Sequence, residues 1–306
     1  MRYGSFNQMI ERIQYNKVRK KLAVVAAEDV HTLEAVMLAC KDNIVNPILI
    51  GNEDIITKNI KELDLPTYNI SIIHAPNNEE AALKAVELVN AKEVDFIMKG
   101  RIETALLMRA VLNRNNGLRT GTIMSHLAFL QIPTYHKLVA FTDVALNMYP
   151  DLDQKKQIIT NAVNAMKKMG IKLPKVAVLA AIEEVNQKMP ETVDAYELKK
   201  MNKNGDIKDC LIEGPISYDL AIDKEAAEIK GYDSPVAGDA DLLVVPNITA
   251  GNLIGKSLVY SGNSKLAGFV IGAKTPIVLT SRSSSTEDKY LSLVLVASGD
   301  WRKEYD

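Results

Sequence analysis

Short apolar runs that alternate with stretches of helical spacing constrain this chain more than any of its other features. Residues 22–27, 47–51, 70–73 and 94–99 are apolar enough to be strands buried on both faces, and 31–40 and 78–90 carry helical periodicity between them. Asn77 or Asn78 stands where the second of these helices needs an N-cap. Strands in regular alternation with helices imply crossover units, a mostly parallel sheet and helices on both faces. The second half repeats the pattern without repeating the sequence. Strands are expected at 138–141, 176–181, 209–213, 241–246, 269–272 and 276–279, and helices at 153–169, 191–202, 249–261 and 285–296. A length of 306 residues suits two compact units or one large α/β unit.

Charge and composition exclude several function classes. Lys plus Arg (37) nearly equals Asp plus Glu (38), so the basic excess or stripe of a nucleic-acid binder is missing. Aromatic residues are only 6% of the chain, too few for base-stacking platforms. No apolar run is long enough to span a membrane. The polar, basic start of the chain contains no apolar signal core, which predicts a cytoplasmic protein. Cys40 closes an apolar helix face and Cys210 precedes a strand-like run. Two unpatterned cysteines make neither a disulfide framework nor a zinc site, and they read as inert thiols in a reducing compartment. No HExxH, cysteine cluster or paired-histidine spacing occurs, so no metal is expected. His31, His74 and His136 read as surface or capping residues.

In open parallel sheets, ligands bind beyond the carboxyl ends of the strands. Four such junctions carry chemistry here. At 279–288 a buried strand gives way to Thr280-Ser281-Arg282-Ser283-Ser284-Ser285 and a helix start. Free N–H groups at a helix start favour an anion, and the Arg282 fork fits phosphate. Asp288 follows within the first helical turns, placed either as a base or as part of an N-terminal cap. At 99–109, Lys99, Gly100 and Thr104 form a second anion-friendly strand end. Thr104 is expected to cap the next helix, and Arg109 lies one to two turns on. The small and hydroxyl residues of 118–126, Ser125 among them, suit close approach to a ligand. A third junction runs through Gly214, and the fourth is Pro246-Asn247-Ile248-Thr249-Ala250-Gly251-Asn252, with Thr249 as the expected cap. Gly251 to Ser257 (GNLIGKS) imitates a phosphate-binding P-loop but has three residues between its glycines where four are needed. That places Gly255 and Lys256 inside a helix, with Lys256 exposed. No GxGxxG follows the first strand, so an ordinary dinucleotide fold lacks support.

The segments AVVAAEDVHTLEAV, MKGRIETALLMRAVL, LIEGPISYDLAID, SPVAGDADLLVVPNITAGN and PIVLTSRSSSTEDK lie in order along almost the whole chain. Together they resemble the phosphate acetyl/butyryltransferase family, and the short length and TSR-containing ending are closer to the butyryl branch. The resemblance implies two three-layer α/β/α domains like those of the isocitrate/isopropylmalate dehydrogenases, with the active site in the cleft between them. The first would span 1–140 plus the returning segment 263–306, the second 141–262. It implies exchange of coenzyme A and inorganic phosphate on a short acyl group, butyryl-CoA plus phosphate giving butyryl phosphate plus CoA. Coenzyme A would be a substrate, with no cofactor, and the protein a homodimer or higher homo-oligomer.

Carried over by position, the resemblance makes Ser281, Arg282 and Asp288 catalytic and Arg282 and Arg109 phosphate-binding; Thr104 joins the phosphate site by its place at the strand end. Ser125, Gly214, Pro246, Asn247, Gly251 and Asn252 would contact the acyl-CoA. The CoA thiolate would attack the acyl carbonyl directly in a ternary complex. The alternatives are an acetyl-CoA-preferring enzyme, a metal-dependent decarboxylating dehydrogenase on the same fold, and a non-catalytic CoA-binding protein.

Overall fold

The protein is described by a computed structural model, which covers residues 2–63, 70–281 and 284–302. The chain is α/β, with mostly parallel strands, and divides into two compact units. The first unit comprises residues 6–122 and 267–306, the second residues 1–5 and 123–266.

The first unit opens with α1 (Phe6–Asn16), whose Phe6, Met9 and Ile13 form one buried stripe. Then follow β1 (Lys20–Val25), α2 (Val30–Lys41), β2 (Val45–Gly51), α3 (Glu53–Glu62), β3 (Ser71–His74), α4 (Asn78–Asn90), β4 (Phe96–Lys99) and α5 (Thr104–Val111). The second unit holds β5 (Ser125–Gln131), β6 (Val139–Thr142), α6 (Leu152–Lys168), β7 (Lys175–Leu179), α7 (Pro190–Lys203), β8 (Leu211–Ile216), α8 (Tyr218–Ile222), α9 (Lys224–Ile229), β9 (Leu242–Val244) and α10 (Ile248–Tyr260). The chain then returns to the first unit through β10 (Lys265–Ile271), β11 (Ile277–Val278) and α11 (Thr286–Ala297).

The strand order in the first unit is β3-β2-β1-β4-β11-β10, parallel throughout except for the β10–β11 pair. The central strands are apolar because helices cover them; the last four residues of β1 and all four of β4 are buried. In the second unit the order is β5-β6-β9-β7-β8, and only β5–β6 is antiparallel. The unit boundaries fall at 122/123 and 266/267, where 140/141 and 262/263 were expected. The reason is pairing: β5 pairs with β6, and β6 in turn with β9, so residues 123–140 belong with the second unit.

Most strand ends are followed by an Asp, Asn or Ser whose side chain accepts from the first turn of the next helix. Asp29 caps α2, Asn52 α3, Asn77 α4 and Asn247 α10, while Asp151 and Ser285 form capping boxes on α6 and α11. Two expected caps differ. Thr249 lies inside α10 because the Asn247 side chain already accepts from Ala250 N–H at 3.0 Å. Thr104 is the first helical residue of α5, whose N-cap, Glu103, makes no side-chain cap bond. β8 also runs through Gly214-Pro215, where a strand end was expected. Gly255 and Lys256 do lie within α10, and Lys256 is exposed, so the P-loop look-alike is helical.

One buried carboxylate ties the second unit together. Asp241, before β9, accepts from Arg2 Nε at 2.7 Å and Nη2 at 2.9 Å, from Lys137 Nζ at 2.6 Å and from the Lys175 N–H at 2.9 Å. Asp241 and Lys137 are both buried, and Lys137 also pairs with Asp239 at 2.6 Å, so removing the Asp241 charge leaves Lys137 with one carboxylate and takes the bidentate partner from Arg2. Asp241→Asn is expected to destabilise the fold by about 1.5 to 3 kcal/mol in urea unfolding, the worth of hydrogen bonds to a charged group. Cys40 and Cys210 are both buried, and burial pushes both thiols up to about 12. Neither is therefore expected to react with a thiol reagent at pH 8 until the protein is unfolded, as mass spectrometry of native and urea-treated samples would show.

Candidate active site

In the first unit the chain leaves β1 toward β2 on one side and later returns to β4 on the other. The strand order thus reverses at β1, and the loops after β1 and β4 diverge to leave a crevice. A pocket of about 820 Å³ opens there. It is lined by residues 28–32 after β1, 99–103 after β4, Thr280 and Ser281 after β11, Asn59, Asn78 and Lys289. The starts of α2, α4 and α5 contribute to its wall. Helix starts present unsatisfied N–H groups and positive dipole ends, so the wall favours an anion.

The backbone of this crevice is tightly built. Gly100 N–H donates to Val25 C=O at 2.8 Å, and Arg101 N–H to Ala26 C=O at 2.7 Å. A side chain on Gly100 would put its Cβ 2.2 Å from the Ala26 carbonyl oxygen. Ala26 itself takes the left-handed conformation, with φ of 54°, although it is not glycine. Strain of this kind persists only where the surroundings dictate it. Two of the three acidic residues of the wall are engaged locally: Glu28 Oε1 accepts from Asn52 N–H at 2.7 Å, and Asp29 Oδ2 from Thr32 N–H at 2.8 Å, while Glu103 is exposed. Two of its cations are buried, while the third, Arg101, is exposed. Lys99 Nζ donates to the carbonyls of Ile102 (3.1 Å) and Gly100 (3.3 Å), and Lys289 Nζ to that of Ser284 (3.1 Å).

The residues singled out in the sequence fall into distinct places. Ser281 lines the pocket, and its carbonyl accepts from Ser284 N–H at 3.1 Å. Arg282 and Ser283 lie outside the described residues. Asp288 is half-buried and serves the cap of α11: its Oδ2 accepts from Ser285 N–H and its own N–H donates to Ser285 Oγ, both at 3.1 Å. Neither Thr104 nor Arg109 lines the pocket; both are exposed, with Arg109 in the last turn of α5.

The other candidates belong to the second unit. Ser125 is fully buried, and its Oγ lies 3.5 Å from Asn161 Nδ2. Gly214 packs where a Cβ would meet Val178 and Ala195 at 3.0 and 3.1 Å, and Gly251 where it would meet Val245 and Val144 at 2.9 and 3.0 Å. Pro246 and Asn247 are half-buried and Asn252 is exposed.

A model of the family described as phosphate acetyl/butaryl transferase matches residues 70–297. The chain belongs to the phosphate acetyl/butyryl transferase family. Phosphate butyryltransferase of Clostridium acetobutylicum is 43% identical over 96% of this chain and 97% of its own. Phosphate acetyltransferase of Thermotoga maritima is 44% identical over 91% of this chain and 94% of its own. Among solved structures, a branched-chain phosphotransacylase from Enterococcus faecalis superposes with a TM-score of 0.81 at 34% identity, covering 91% of this chain and 98% of its own. A 4-hydroxythreonine-4-phosphate dehydrogenase from Salmonella typhimurium shares the fold alone, with a TM-score of 0.59 at 12% identity over 92% and 99%.

Two features of this family member were not singled out in the sequence. One is Lys289, in the first turns of α11. The other follows β6: buried Asp143 accepts from the N–H groups of Ala145 (2.8 Å), Leu146 (2.9 Å) and His126 (3.0 Å) and from Asn147 Nδ2 (2.6 Å). His126 Nδ1 is buried without a partner among the described residues, and burial holds its pKa below the usual histidine range against the pull of Asp143. Aspartate before a short loop and an asparagine four residues on was the available signal for the Asp143 turn. Among the described residues no group of three or more His, Cys, Asp and Glu side chains is placed to hold a metal ion.

Gly100→Ala is expected to lower stability by about 1 to 3 kcal/mol, because the new methyl group must displace backbone. Denaturant unfolding measures this, and the far-UV circular dichroism spectrum is expected to stay unchanged.

Proposed function

We propose that this protein transfers a short acyl group between coenzyme A and inorganic phosphate, with butyryl-CoA plus phosphate giving butyryl phosphate plus CoA. The observation that carries the reading is the placement of Ser281 in a cation-bearing pocket at the strand reversal, inside the family's TSR segment. Phosphate attacks the thioester carbonyl and the CoA thiolate leaves; in reverse the thiolate attacks the acyl phosphate. Ser281 donates a hydrogen bond to the oxyanion that develops on the carbonyl. Arg282 holds phosphate as a bidentate fork, while Arg109 and Thr104, which are exposed and off the pocket lining, are given no part in it. A free thiol titrates near about 8.5, so a positioned base speeds thiolate formation, and Asp288 takes that role. Its second carboxylate oxygen, Oδ1, is not needed for the α11 cap, so capping and proton transfer are compatible in one side chain.

Acyl transfer is direct, with no cofactor beyond the substrates; the burial of both thiols argues against an acyl-cysteine. Gly214, Pro246, Asn247, Gly251 and Asn252 belong to the acyl-CoA side of the reaction, whereas Ser125 is fully buried and has no surface to offer it. The likeness to a 4-hydroxythreonine-4-phosphate dehydrogenase supports the finer fold description, that of the isocitrate/isopropylmalate dehydrogenases. Acetyl-CoA as the main substrate is the second reading, favoured by the Thermotoga relative; discrimination per methylene is only about 1 to 3 kcal/mol. Among the described residues no helix is long and apolar enough to cross a membrane. A cytoplasmic homo-oligomer fits α10, an apolar helix that buries only Gly251 and leaves Leu253 and Tyr260 exposed.

Free thiol is expected to appear from butyryl-CoA only when phosphate is added, and a parallel reaction with acetyl-CoA ranks the two substrates. Ser281→Ala is expected to lower kcat about 10²- to 10³-fold. Asp288→Asn keeps an oxygen to accept from Ser285 N–H, so it preserves the cap and the melting temperature while turnover falls. Wild-type turnover in Asp288→Asn would remove the carboxylate from the mechanism.

A further inference from the structure

Lys289 is the fourth residue of α11 and is 3% exposed. Its side chain runs back toward the start of its own helix, where Nζ donates to the Ser284 carbonyl at 3.1 Å. Among the described residues no carboxylate lies within ion-pair distance of it, unlike buried Lys137 and Lys155, each held at 2.6 Å by an aspartate. An ammonium group removed from water without a counter-charge is strongly disfavoured. The position adds to the cost, because the helix start is the positive end of the dipole. A single neutral carbonyl does not offset either penalty. Yet Lys289 lines the pocket at the strand reversal, as do Ser281 and the second buried lysine, Lys99.

We infer that Lys289 is a binding residue for a phosphate group, whose negative charge completes the ion pair that the described residues leave open. The group is either inorganic phosphate, the acyl acceptor, or one of the phosphates of coenzyme A. Only the identity of the bound molecule rests on the acyl-transfer reading; the need for an anion stands on burial and charge alone. Lys289 also differs from Ser281 and Asp288 in its demand: it recognises charge, with no part in proton transfer or in the oxyanion.

Lys289→Met, close in shape and uncharged, separates this from a structural role. Without ligand the variant is expected to melt at or above the wild-type temperature, since an unpaired buried charge has been removed. Addition of inorganic phosphate is expected to raise the melting temperature of the wild type and to leave the variant unmoved if that molecule is bound. In the thiol-release assay the KM for phosphate then rises at least about tenfold, with the KM for butyryl-CoA unchanged. If the group belongs to coenzyme A, the KM for butyryl-CoA rises instead, and CoA replaces phosphate as the stabilising ligand the variant ignores. A variant that melts well below wild type without ligand, yet keeps both KM values and both ligand responses, overturns the inference. Should Lys289→Met fail to fold, Lys289→Gln retains a donor for the Ser284 carbonyl and carries the same comparison. Loss of a ligand-induced melting shift supports Lys289 even if wild-type protein releases no thiol, a result that would instead end the acyl-transfer reading.

Discussion

The close approach of two strand ends underlies the rest of the first unit. Gly100 lets the end of β4 lie against the turn after β1, so two backbone N–H groups bond to the carbonyls of Val25 and Ala26. That contact fixes where α2 and α5 begin, and with them the direction of their free N–H groups. It also holds Ala26 in a conformation that alanine otherwise avoids. The pocket is therefore a product of backbone geometry first. Side chains that bear charge or hydroxyl groups are added to a crevice that the sheet has already made.

Much of the fold was legible because burial leaves a plain mark on parallel strands. The runs that became β1, β2, β4 and β9 are apolar on successive residues, and the Asx or Ser that follows most strands announces the next helix. β5 was not recognised, because Ser125 and His126 at its start read as part of a ligand-facing loop, yet Ser125 is fully buried. α1 carried its signal in Phe6, Met9 and Ile13, a stripe diluted by the charged and amide residues between them. The unit boundary was misplaced because strand pairing is long-range. Nothing local in 123–140 says that β6 will seek β9.

The candidate site was legible in part. A hydroxyl residue after a buried strand pointed to Ser281, and the structure puts it on the pocket wall. Asp288 was ambiguous for a physical reason, since an acidic residue three positions after a serine is both a helix cap and a good place for a base. The structure realises the cap and leaves one oxygen uncommitted by it. Lys289 was illegible, because a lysine in the first turns of a polar helix normally reaches solvent. Only the packing of α11 on α2, α1 and β11 covers this helix and buries a charge on it.

The first unit is discontinuous in sequence, and this orders events on the ribosome. The chain emerges from its N-terminus, and domains close as their last residues appear. The second unit receives all of its strands by residue 266, whereas the first still lacks most of β10 and all of β11 and α11 at that point. Until those arrive, one flank of β4 is unpaired and neither Ser281 nor Lys289 has been made. A translation product truncated near residue 266 therefore carries an exposed parallel edge and no anion pocket, so premature termination yields a sticky fragment without binding capacity.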